Sequence, residues 1–458
     1  MTSPRRTLYT AQWVLPIATA PVANGGVLVD GSRIAWVGSL DALPGEHAQA
    51  ARINLGAAVL LPGLVNVHTH LELTAMRGFL EGLAFREWLR VLHAARTECF
   101  DAQSLHDSSC AGIEEGLRNG ITTFADTTES GAPLAAMREL GVRGIGYVEV
   151  FGPEPAQCEA SVKALAEKAN AFRRDDTDWV RTGISPHAPY TVSSRLFRAV
   201  ADLARDDELP VAVHVAESVA ELHFVRDGEG PFADGLRARG INVAAQARSP
   251  IGLLDECGIL ERRPLLIHAI QVDDIDIARI AHHGARIAHC PISNLKLGHG
   301  VAPLERFQSA GIATGLGTDS VASNDRMDLL GEARQATLLQ AMRRGVPDAL
   351  PAHDALRLAT VGGARALGLE DRIGTLEVGK DADFAVFPLA HPDTQPVHDP
   401  AVTLVHVLAG AMPAALVVVA GRERVRNGQV VDADSARQSR MEALGARLRA
   451  WRSRHLAT

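Results

Sequence analysis

Four times along this chain an amphipathic stretch runs into a glycine and an apolar segment follows at once. Gly120 leads into ITTFAD, Gly141 into VRGIGYVEV, Gly284 into ARIAHC and Gly311 into IATGLGTD. A glycine just past a helix supplies the left-handed residue that closes it, so each case predicts helix, cap and strand. Short strands that are apolar throughout suit a parallel sheet covered on both faces. Eight can be counted: GLVNVHTH, ITTFADT, GIGYVEV, VRTGISPH, PVAVHVAE, LLIHAIQ, ARIAHC and ATGLGTDS. Helical stretches such as FREWLRVLHAAR, SSRLFRAVADLARDD and DIDIARIAHHG separate most of them. Eight alternating units over roughly 270 residues match a closed (β/α)₈ barrel, whose usual size is about 250 residues. An open doubly wound sheet would need a Gly-rich phosphate turn after its first strand, and the chain has none there.

The flanks read differently. Residues 1–62 and 372–435 hold short strand-like pieces with turn signals, among them GGVLVDGSRIAWVG and LVVVAGRERVRNGQVV. Neither looks able to bury a core alone, so the two ends are expected to pair into one small β-sandwich beside a barrel spanning 63–371. The seams fall at the LPG of 61–63 and the DRIG of 371–374, and residues 436–458 predict a terminal helix.

Composition narrows the partners. The net charge of −8 comes from dispersed acids and bases with no basic run, which argues against nucleic acid and anionic membrane, since both need clustered Lys and Arg. Cys99, Cys110, Cys158, Cys257 and Cys290 are scattered, odd in number and form no CxxC pair, as in a reducing compartment. The start, MTSPRRTLYTAQWVLP, lacks the apolar run of a signal peptide, and ALVVVAG is far too short to span a bilayer. A cytoplasmic enzyme acting on a small molecule is expected, and homo-oligomers are compatible with this.

In parallel α/β folds, functional side chains collect at the carboxyl ends of strands. His68, His70, His187, His214, His268, His289 and Asp319 all fall there. Alternate residues of a strand share a face, so His68 and His70 can both point inward. Neutral imidazoles beside a carboxylate are what a Zn²⁺ or Fe²⁺ site requires. His214 and Asp319 can complete such a site and leave a position for water, whose pKa the ion lowers to about 7. Glu217, a strand-end carboxylate near that water, suits general acid–base work. His93, His106, His223 and His353 lack ligand spacing, His282-His283 and Arg343-Arg344 read as solvated helix ends, and Cys290 reads as a buried thiol.

The segments LPGLVNVHTHLELTAMRG, SPHAPYTVS, HVAES, HCPISNLKLGHGVAP, GLGTDSVASN and GTLEVGKDADFAVF, in that order, resemble the amidohydrolase superfamily. They are most similar to its cytosine deaminase, S-adenosylhomocysteine deaminase and triazine hydrolase branch, and HTHLEL also resembles deaminases of aminofutalosine. The resemblance implies one divalent ion, Zn²⁺ before Fe²⁺, on His68, His70, His214 and Asp319. It implies Glu217 as proton shuttle, His268 and Asp319 as helpers in catalysis, and His187 as a substrate contact; Glu72, which HTHLE places beside the metal pair, is a second candidate for substrate contact. The fourth strand, VRTGISPH, holds no Lys that could be carboxylated to bridge two metals, so one ion is expected. An HxE followed by PCxxC, the mark of the unrelated zinc deaminases, is missing.

The leading expectation is hydrolytic deamination of an aromatic cyclic amidine, foremost the adenine ring of a nucleoside. A chloro- or amino-triazine hydrolase uses the same metal chemistry with another leaving group. A non-catalytic barrel is the remote third reading, and it sits poorly with a complete ligand set. After Trp88, where VLHAARTE stands, the acidic ribose contact of the S-adenosylhomocysteine type is not evident.

Overall fold

All eight predicted strands are present in the computed structural model, which describes residues 6–456. The first five and last two residues, the ends of the predicted first sandwich segment and of the terminal helix, lie outside the described residues. The strands are β1 (Leu64–Thr69), β2 (Ile121–Thr128), β3 (Arg143–Val150), β4 (Val180–Pro186), β5 (Ala212–Val215), β6 (Leu265–His268), β7 (Arg286–His289) and β8 (Thr314–Leu316). Nearly every residue in them is buried, which is why they read as continuous apolar runs rather than alternating ones. They form two four-stranded parallel sheets, β1 to β4 and β5 to β8, each in chain order. Isolated parallel bridges join the edges, Ile184 with Val211 and Thr69 with Asp319. Helices fill the intervals, and Gly141 and Gly284 cap two of them at φ 62° and 65°, as the sequence requires.

The two chain ends do meet. Ala58–Pro62 pairs antiparallel with Phe384–Pro388, joining the N-terminal strands to the C-terminal ones. The expected sandwich is therefore built as one continuous nine-stranded sheet. Alternation divides its faces. Tyr9, Val27, Leu60, Phe384 and Val418 gather into a core of the sheet itself. Val59, Leu61, Ala385, Phe387 and Val417 share a core with Leu117, Ile121 and Phe124 of the parallel-stranded part.

An ion network pins the two parts together at the end of the strands away from the candidate site. Arg143, at the start of β3 and 1% exposed, donates to Asp383 at 3.1 Å and to Asp381 at 2.9 Å. Arg33 and Arg372 also reach Asp381, at 2.8 and 3.0 Å. Asp383 Oδ1 accepts from the Ala420 amide at 2.6 Å. Removing one partner of a buried pair strands the other charge, which costs about 3–5 kcal/mol. Asp383→Ala is expected to lose stability of that size in urea unfolding. A change below about 1 kcal/mol would show that solvent reaches Arg143.

The terminal helix, Arg437–His455, lays Leu444, Leu448 and Trp451 against Phe79, Trp88 and Val91, behind one wall of the central cavity. Among the described residues no helix is long and apolar enough to cross a membrane.

Candidate metal centre and its cavity

The His68–Thr69–His70 segment ends β1, and its neighbours fix how it sits. Asp126, on β2, accepts from Thr69 Oγ1 at 2.8 Å and from the Leu71 amide at 2.7 Å. Asn66 exchanges hydrogen bonds with Thr318, at 2.8 and 3.0 Å, which ties β1 to the segment carrying Asp319. The Asp319 amide in turn donates to the His68 carbonyl at 3.0 Å.

Four side chains converge as a result. Asp319 Oδ1 lies 3.2 Å from His68 Nε2 and 3.5 Å from His70 Nε2, and His214 Nε2 lies 3.3 Å from His70 Nε2. Donors held tetrahedrally at about 2.0–2.1 Å from one ion stand about 3.3–3.4 Å apart, so the spacing fits. His68 Nε2 is buried and, although close to Asp319, is not aligned for a hydrogen bond and has no partner among the described residues. That is the state expected of a lone pair awaiting a cation. His68, His70 and His214 fall in one group of potential metal donors, and His68, His268 and Asp319 in another.

Second contacts bear on the tautomers. His214 Nδ1 is 3.2 Å from the His187 carbonyl, which can only accept, so N–H sits there and Nε2 is left as an acceptor facing the centre. His70 Nδ1 is 3.1 Å from Thr127 Oγ1, a hydroxyl able to accept from it, which is compatible with the same tautomer. Burial first, then neighbouring histidines, lowers the His70 pKa to about 3 and that of His214 well below the usual value. Both rings are thus neutral, the form that binds metal. Burial opposes charge on Asp319, but His68, His268 and His70 outweigh it and hold the carboxyl well below its usual range. Ser293 Oγ donates to Asp319 Oδ2 at 2.5 Å and the Ser320 amide to Oδ1 at 2.7 Å.

Glu217 follows β5, buried, with Oε1 3.6 Å from His268 Nε2 and 3.4 Å from His299 Nε2. Glu221 accepts from the Ala216 and Glu217 amides at 2.8 and 2.9 Å, fixing the turn that aims Glu217. Burial raises the Glu217 pKa, yet His268 and His299 bring it below its usual value. His268 Nδ1 meets Asn294 Oδ1 at 2.8 Å, which turns Nε2 toward Glu217 and Asp319 Oδ2, the latter at 4.0 Å.

His70, His214, Glu217, His268 and Asp319 floor a cavity of about 420 Å³. Phe85, Trp88, Leu89, Leu92, Phe151 and Tyr190 supply apolar walls; Glu72, Arg96, Glu129, Glu149 and His187 add polar ones. His187 follows β4, meets Thr191 Oγ1 at 2.8 Å and lies against Phe151 with ring centroids 4.7 Å apart. Glu72 reaches the cavity, but protein donors already hold its oxygens: Arg96 and Ser130 Oγ, both at 2.7 Å, and Thr128. Burial first, then Glu72 and Glu129, pushes the Glu149 carboxyl up to about 8. His289 is buried away from the cavity lining, and neither ring nitrogen has a partner among the described residues.

Some neighbours escape a reading by strand ends. His299, Ser293 and Asn294 lie in HCPISNLKLGHG, past the end of β7, and only the fold shows which of its polar residues turn inward. His93, which lacks ligand spacing, lines the cavity. His106 groups with Cys110 and Glu139, where Arg437 already occupies the Glu139 carboxylate at 3.0 Å.

Comparison with known proteins gives consistent findings. The model of the amidohydrolase family matches residues 59–430, and that of the imidazolonepropionase-like composite domain of bacteria matches 25–50. The chain is 34% identical over 438 residues to the 5-methylthioadenosine/S-adenosylhomocysteine deaminase of Desulforudis audaxviator, covering 94% of this chain and 95% of that one. The crystal structure of an adenosine deaminase from Xanthomonas campestris with bound zinc is similar at a TM-score of 0.82 and 31% identity, covering 98% of both chains. The atrazine chlorohydrolase of Arthrobacter aurescens TC1, complexed with zinc, is similar at 0.81 and 29%, covering 96% of this chain and 99% of that one.

Proposed function

The chain belongs to the amidohydrolase family, and from that premise we propose that it is a metal-dependent hydrolytic deaminase releasing ammonia from the adenine ring of a nucleoside. The observation that carries this reading is the convergence of His70, His214 and Asp319, with His68 buried beside them, next to Glu217 and His268 at the floor of one cavity. The resemblance to deaminases of adenine nucleosides supports the substrate class.

The architecture proposed with it is a closed (β/α)₈ barrel over 63–371, a sheet domain from 1–62 and 372–435, and a terminal helix over 436–458. Closure is supported by the bridges between β4 and the approach to β5 and between Thr69 and Asp319. His68, His70, His214 and Asp319 would hold one Zn²⁺, and the same donors would accept Fe²⁺. When bound, the ion supplies the Lewis acidity that makes water a nucleophile near neutral pH.

The chain's own groups then manage the protons. Glu217, entering as a carboxylate, takes one proton from the attacking water and passes it to the ring nitrogen beside the amine-bearing carbon. Asp319 takes the second proton and returns it to the amine, while His268 Nε2 lies against both carboxylates and steadies the transfer. The carbon–nitrogen bond breaks, ammonia leaves and a ring carbonyl remains. His187 would contact the sugar from the wall. Glu72 would act through Arg96, which it holds in place.

A triazine hydrolase is the second reading, favoured by the likeness to the chlorohydrolase and by the apolar wall of Phe85, Trp88, Leu89 and Leu92. One panel separates the two. Adenosine, 5-methylthioadenosine, S-adenosylhomocysteine and a chlorinated triazine are assayed for ammonia and chloride, with metal analysis of the same preparation. Ammonia from at least one nucleoside and about one zinc per chain are expected. Chloride from the triazine without ammonia from any nucleoside would overturn the assignment.

A further inference from the structure

We propose that Glu149, at the carboxyl end of β3, binds the sugar hydroxyls of the substrate and so makes the enzyme selective for ribonucleosides. This assignment rests on the adenine-nucleoside reading above and deepens it.

Five carboxyl groups line the cavity: Glu72, Glu129, Glu149, Glu217 and Asp319. Four of them are engaged by the protein. Arg96 bridges Glu72 and Glu129 at 2.7 and 2.5 Å, Glu217 faces His268 and His299, and Asp319 faces His68, Ser293 and Ser320. Glu149 differs. Its Oε1 is buried with no hydrogen-bond partner among the described residues, although the side chain reaches the cavity. A carboxyl group left this way is costly in the free protein, and a ligand that brings a donor relieves that cost on binding.

Position selects the donor. A Glu149 oxygen and ring nitrogens of His187 and His214 lie within 4.8 Å of one another, so Glu149 stands on the His187 side of the cavity, outside the four-donor cluster. Phe151, just past the end of β3, lines the cavity with Glu149 and packs on His187. Glu149, Phe151 and His187 thus form one wall with an apolar ring between polar ends. A nucleoside presents the matching pattern, with a flat base at the metal cluster and a vicinal diol beyond it. A sugar hydroxyl suits a carboxyl group that lacks a partner, and hydroxyls both donate and accept, so the contact does not depend on the proton carried by Glu149.

The test compares adenosine with 2′-deoxyadenosine and 3′-deoxyadenosine on the zinc-loaded wild type, Glu149→Gln and Glu149→Ala. The wild type should prefer adenosine over at least one deoxy substrate by about 10–100-fold in kcat/KM, the usual cost of leaving a buried polar group without its hydrogen-bond partner. Glu149→Ala should lose about that factor on adenosine, chiefly through KM, and bring the three substrates within about threefold, with Glu149→Gln between. Metal content should stay near one ion per chain in all three proteins. Undiminished discrimination in Glu149→Ala, or an equal loss on all substrates, would overturn the assignment. Two ions per wild-type chain would overturn it as well, by giving Glu149, His187 and His214 to a second metal. A wild type inactive on every adenine nucleoside would instead sink the function from which this inference starts.

Discussion

Asp319→Asn is expected to purify with a small fraction of the roughly one zinc ion per chain of the wild type, and to lose at least about 10³-fold in kcat. Two roles are proposed for this side chain. As a ligand it would be the one anionic member of a set whose other members are neutral imidazoles, and an amide is a much poorer ligand for a divalent ion. As a proton acceptor it would act opposite His268, and such groups alone contribute about 10²–10⁴-fold. Ser293, Ser320 and Ser323 contact both carboxyl oxygens, so the amide has hydrogen-bonding partners and the fold is expected to survive. Metal content by elemental analysis and turnover on the best nucleoside read the two roles separately. A chelator should lower the melting temperature of the wild type, because the ion stabilises only the folded state, and should leave that of Asp319→Asn nearly unchanged. A variant with full metal and full turnover would remove Asp319 from the site.

What the sequence reveals about this molecule follows from which interactions are local. Burial on both faces forces β1 to β8 into apolar runs, and helix closure forces glycine at positions such as 141 and 284. These are near-neighbour requirements and leave marks in the chain. The His68-x-His70 pair is legible for the same reason, since strand geometry alone puts both rings on one face. Asp319 and His214 are legible only as polar residues ending apolar runs; the sheet order brings them within 3.5 Å of their partners. Contacts between distant segments leave no such mark. Arg96 saturating Glu72 from 24 positions away, Arg143 meeting Asp381 and Asp383 across some 240 residues, and the free oxygen of Glu149 depend on the assembled fold. The flank sheet belongs to this class. Strand-like pieces at each end suggest pairing, but the edge-to-edge register of Phe384 opposite Pro62 makes them one sheet.

Glu217→Gln should keep its zinc yet lose about 10²–10⁴-fold in kcat, and this separates proton transfer from metal binding in the same cavity. The carboxylate is not among the four converging donors; its Oε1 faces His268 and His299 instead. Glutamine preserves its shape and can still accept from His299, so the turn held by Glu221 should not move and the ion should remain. What the amide cannot do is take a proton from water and deliver it to a ring nitrogen, which is the contribution such a group makes to the barrier. Because the interaction is needed in the transition state rather than for binding, KM should change far less than kcat. Added zinc should not restore activity, in contrast to a variant that is merely short of metal. Turnover within about tenfold of wild type would place the proton shuttle elsewhere, and His299, 3.4 Å away and buried beside Phe85, would be the next residue to replace.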